Sequence, residues 1–113
     1  MKGVFLSNDI LMELVNKIIG IMEDQLVSII MYGSVAKNNN TDESDIDIAL
    51  LIKGNLDFVT EDKLSDIIVD MNLKYDKVFS VIDIDFDLFE KWVKVTPFYQ
   101  NVSREGIVLW KAT

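Results

Sequence analysis

From Asp45 to Ile52 the chain reads Asp-Ile-Asp-Ile-Ala-Leu-Leu-Ile. In a strand, alternation of period 2 puts Asp45 and Asp47 on one face and Ile46 and Ile48 on the other. The unbroken apolar run that follows, Ala49 to Ile52, fits a central strand rather than an edge one. A chain organised around such a strand needs partner strands beside it and helices packed on it. The expectation is therefore an α/β (α+β) fold, a small mixed β-sheet of three or four strands with helices on it.

The remaining periodicities supply those elements. Ser7, Asn8 or Asp9 can cap a first helix in which Leu11, Leu14, Val15, Ile18 and Met22 keep one apolar stripe. Leu26 to Tyr32 is a short β-branched run ending at Gly33, and it reads as a buried strand. Gly54-Asn55 makes the turn after the central strand, and Thr60 is the expected cap of a helix carrying Leu64, Ile67, Ile68, Met71 and Tyr75 on one face. Lys77 to Ile84 is a third strand. A helix after Pro97, a stop at Gly106 and a closing strand from Ile107 to Trp110 complete the chain, with Trp92, Phe98, Tyr99 and Trp110 read as core or interface aromatics.

With 113 residues, one domain spanning 1–113 is expected. The chain has no cysteine and no histidine, so thiolate nucleophiles, imidazole bases and the usual zinc sites are excluded. A net charge of −8 and the lack of a basic cluster argue against direct binding of duplex nucleic acid. No apolar run is long enough to span a bilayer, and the beginning of the chain does not read as a signal peptide, so no membrane association and a cytoplasmic location are expected.

The chemistry sits in Met31-Tyr32-Gly33-Ser34-Val35-Ala36-Lys37 and in Ser44-Asp45-Ile46-Asp47. Gly33-Ser34 at the exit of a buried strand lets backbone approach a ligand, and the amides that follow suit a phosphate. Lys37, beside that seat, is either a surface lysine or a triphosphate contact. Two carboxylates about 7 Å apart on one strand face repel each other, and a divalent cation that prefers oxygen, Mg²⁺ or Mn²⁺, offsets this. Phosphate-binding amides beside a carboxylate-held metal are what nucleotidyl transfer requires. The bland alternatives are a serine-capped turn and a solvated strand edge.

Gly33-Ser34, ten intervening residues and Asp45-x-Asp47 resemble the signature of the DNA polymerase β-type nucleotidyltransferase superfamily, in its minimal nucleotidyltransferase (MNT) branch. The ending Pro97-Phe98-Tyr99-x-Asn101-Val102-x-x-Glu105-Gly106-Ile107-x-Leu109-Trp110 is similar to that family's close, and the likeness covers roughly residues 9 to 111. The resemblance implies transfer of a nucleoside monophosphate, AMP from ATP first, to an acceptor hydroxyl. Gly33, Ser34 and Lys37 would bind the nucleotide, and Asp45 and Asp47 the metal. Asn38 stands where the family usually has glycine.

The family also places a third carboxylate on the neighbouring strand. There the alignment puts Ser80, while Asp83, the candidate third catalytic carboxylate, falls three residues on, with Asp85 on its side. Either a bulge re-aims Asp83, or the site works with two carboxylates, or it is inactive. In the family, short chains of this kind resemble antitoxins that modify a small helical HEPN-type ribonuclease partner. A homo-oligomer, an antibiotic-type enzyme and a catalytically silent binding module are the other expectations.

Overall fold

The structure, a computed structural model, describes residues 8–33 and 45–113. Helix α1 (Asn8–Met22) buries the expected stripe of Leu11, Leu14, Val15, Ile18 and Met22. A short 3₁₀ turn leads into β1 (Leu26–Tyr32), and β2 (Ile46–Ile52) is buried without a break from Ile48 to Ile52. Then come α2 (Phe58–Tyr75), β3 (Phe79–Asp85), α3 (Phe86–Trp92), α4 (Pro97–Glu105) and β4 (Ile107–Lys111).

The strands form one mixed sheet in the order β3-β2-β1-β4. β1 pairs antiparallel with β2 and β4, while β2 and β3, joined through α2, are parallel. Both faces are covered, as a strand apolar on both sides demands. On one face α1 and α2 pack over Ile46, Ile48, Leu50 and Ile52; on the other, Phe89 of α3 and Val102 of α4 pack over Ile30, Ala49, Leu51 and Ile84. Burial of each large aliphatic side chain contributes about 1.5–3 kcal/mol. Among the described residues no helix is long and apolar enough to cross a membrane.

Three local features depart from the expected pattern. α2 begins before Thr60: Asp57 is its cap, its Oδ1 accepting from the Thr60 amide at 2.8 Å, which is the usual reach from an N-cap carboxylate to N3. β3 runs on to Asp85, which caps α3 by accepting from the Asp87 amide at 2.9 Å, so strand and helix abut with no linker between them. Gly106 ends α4 with an ordinary φ of −73°, and glycine is needed there for a different reason. A Cβ at that position would overlap the Val102 carbonyl oxygen and the Ile30 side chain.

Candidate functional site

Pairing brings three strand ends to one place. Because β1 and β2 are antiparallel, Tyr32 at the end of β1 lies opposite Asp47 near the start of β2. Because β2 and β3 are parallel, Ser80 near the start of β3 lies on the other side of Asp47. Residues in register share a face, so Tyr32, Asp47 and Ser80 all lie on the α3/α4 side of the sheet. Asp45, two residues before Asp47, shares that side, and the Ser80 hydroxyl donates to Asp45 Oδ2 at 3.4 Å. The alternate residues Ile46 and Ile48 are buried under α1 and α2 and anchor the carboxylate pair from behind.

Gly33 follows directly, with a φ of 81° that favours glycine. A Cβ there would also overlap Asp47 Oδ2, so the loop backbone and the carboxylate are in direct apposition. Asp45 is exposed and Asp47 half-buried. Burial, and then the charge of Asp45, pushes the Asp47 carboxyl above its ordinary value. Burial likewise raises the Tyr32 phenol, with the Asp47 charge adding to it. Phe98 of α4 meets the Tyr32 ring edge-on at a centroid distance of 5.5 Å, so an aromatic pair flanks the carboxylates.

Ser34 and Lys37 lie outside the described residues. Asp83 pairs with Leu50, and the β2–β3 register runs unbroken from Ile46/Phe79 to Ile52/Asp85. Asp83 therefore lies on the α2 side of β3, in a groove with Leu56, Phe58 and Val81, while Ser80 is the β3 residue brought to the pair. Asp85 is engaged as the α3 cap. The aromatic pair of Tyr32 and Phe98 is the part of the site that sequence reasoning missed. Its one signal was a tyrosine immediately before Gly33-Ser34.

Among the described residues no group of three or more carboxylates is placed to share a metal ion. Two carboxylates and a hydroxyl nevertheless form a donor set of oxygens alone. Mg²⁺ is commonly held by one or two carboxylates together with substrate phosphates, so these residues fit such an ion.

Comparison with known proteins adds the following. The family described as polymerase beta, nucleotidyltransferase matches residues 16–113. A Methanocaldococcus jannaschii protein named "Putative protein adenylyltransferase MJ0604" is 38% identical over 98 residues, covering 87% of this chain and 92% of that one. In solved structures, the same fold occurs in a toxin–antitoxin crystallised with AMP-PNP. There the TM-score is 0.52 at 24% identity, over 87% of this chain and 73% of that one. It occurs again in a complex of tri-AMPylated Shewanella oneidensis HEPN toxin with MNT antitoxin. In that case the TM-score is 0.50 at 23% identity, over 89% and 72% of the two chains.

Proposed function

The chain belongs to the polymerase beta nucleotidyltransferase family, and from that premise we propose that it transfers AMP from ATP to a hydroxyl group of a partner protein. The observation that carries this reading is the Asp45/Asp47 pair on one strand face, with Asp47 pressed against the backbone of Gly33. Such an arrangement sets a negatively charged site directly beside a backbone turn suited to phosphate. The partner is a small helical HEPN-type protein, and the chain acts as its MNT antitoxin. The fold-level likeness to MNT–HEPN complexes supports that assignment.

In the proposed reaction the acceptor oxygen bonds to the α-phosphorus, the bond to the β-phosphate breaks, pyrophosphate leaves and the hydroxyl proton passes to solvent. Asp45 and Asp47 would hold Mg²⁺ or Mn²⁺, which supplies positive charge against that developing on the phosphoryl oxygens. The Gly33-Ser34 backbone orients the triphosphate and Lys37 neutralises the leaving group. Ser80 donates to Asp45 through its hydroxyl, and Tyr32 with Phe98 flanks the carboxylate pair.

One observation favours a second reading. Ser80, a neutral residue, occupies the β3 position beside Asp47, so the described site carries two carboxylates, which suits a nucleotide- or partner-binding module without turnover. Isolation of the chain with its partner from the native host, followed by intact mass measurement of the partner after incubation with ATP and Mg²⁺, separates the two. We expect an AMP adduct on a partner hydroxyl. A partner that stays unmodified supports the silent module, and transfer to a small molecule by the chain alone supports an antibiotic-type enzyme.

A further inference from the structure

Helix α2 has a second apolar side. Its inner side buries Leu64 and Met71 against α1 and the sheet, yet Phe58, Val69 and Leu73 are 82%, 54% and 79% exposed. At about 100° and 1.5 Å per residue, these three fall within about 60° of one another and form a stripe about 22 Å long. Val69 and Leu73 lie away from the buried side, and the N-terminal end of the stripe, Phe58 with Asp62, rims the groove that also holds Val81 and Asp83. Asp62 and Asp66 lie in or beside the same sector and are also exposed, whereas Lys63 and Lys74 turn toward the flank. A solvent-facing helix side is normally polar, and aligned large apolar residues with a charged border mark an interaction surface.

We propose that this outer face of α2 docks a helix of a partner protein whose apolar residues are bordered by Lys or Arg. Charge decides the kind of occupant. In a second copy, antiparallel packing of α2 on α2 about the middle of the stripe would set Asp66 against its own equivalent, with Asp62 within about one turn of it, which disfavours self-association. A basic amphipathic helix meets the same carboxylates with opposite charge, and the net charge of −8 draws it in. α2 lies across the sheet from Asp45 and Asp47, so a helix docked there leaves the carboxylate face open. The docking surface is independent of catalysis and stands even if the chain transfers nothing.

The test uses two synthetic helical peptides as long as α2, 18 residues, one of Leu and Lys and one of Leu and Glu with the same apolar face. Each is titrated into the isotope-labelled full chain while amide shifts are followed. The Leu/Lys peptide is expected to shift amides of residues 58–73, and Phe58→Ser with Leu73→Ser to weaken its binding at least tenfold. The Leu/Glu peptide should leave those amides unmoved, and Asp45→Asn with Asp47→Asn should bind the Leu/Lys peptide as the native chain does. Shifts confined to other surfaces, or equal affinity in the Phe58/Leu73 variant, would overturn the proposal. So would self-association that this variant abolishes. Should the variant fail to fold, the shift map of the native chain decides alone.

Discussion

At Asp47 a carboxylate is held half-buried beside Gly33, where burial and the neighbouring Asp45 both oppose its charge. A group kept in such a position against its own electrostatics suits a bound cation better than a structural role. Ser80 is the residue next to it on β3, and Asp83 faces the other way. Ser80→Asp is therefore expected to keep or raise transfer activity and to tighten Mn²⁺ dependence, whereas Asp83→Ala should change activity less than tenfold. Titration of transfer against Mn²⁺ reads both. A loss of about 10²-fold or more in Asp83→Ala, the scale of a catalytic base, would restore Asp83 to the machinery.

Between elements, Glu13 joins α1 to α2 through polar contacts. Glu13 accepts from the Tyr75 hydroxyl and from Lys74 Nζ at 2.9 Å, and pairs with Lys17 at 3.2 Å. Those contacts, Tyr75 foremost, bring the Glu13 carboxyl from 4.5 down to about 2. A depressed carboxylate stabilises the fold above its unfolded value and stops doing so as pH falls through the folded one. Glu13→Gln should thus lower Tm at pH 7, with the gap closing between pH 4.5 and 2. A gap independent of pH would contradict this. Much at this scale was legible beforehand: the α1 stripe, β1 and the alternation in β2 follow from side-chain period, and the alternation in β3 already sets Asp83 opposite Ser80. Helix α3 was not legible, because Asp85 ends a strand and caps a helix with no glycine or proline between them. The start of α2 was misplaced because Asp57 and Thr60 both resemble caps, and only the hydrogen bond between them tells which one accepts. The contact of Tyr32 with Phe98 joins elements far apart in sequence and needs the folded sheet to exist.

Over the whole molecule the sheet separates two kinds of surface. The α3/α4 side carries the carboxylate pair and its aromatic flank, and the α1/α2 side carries the exposed apolar and acidic stripe of α2. The proposed docking surface and the carboxylate pair thus lie on separate faces of an acidic chain. The most direct test of the Asp45/Asp47 assignment is pyrophosphate release from ATP by the native chain with its partner, compared with the Asp45→Asn/Asp47→Asn double variant under the same Mg²⁺. Removing two like charges relieves repulsion in the metal-free protein, so the variant should keep its fold and a Tm equal to or slightly above that of the native chain. Release by the native complex and none by the folded variant is the predicted result, and equal release by both would contradict it.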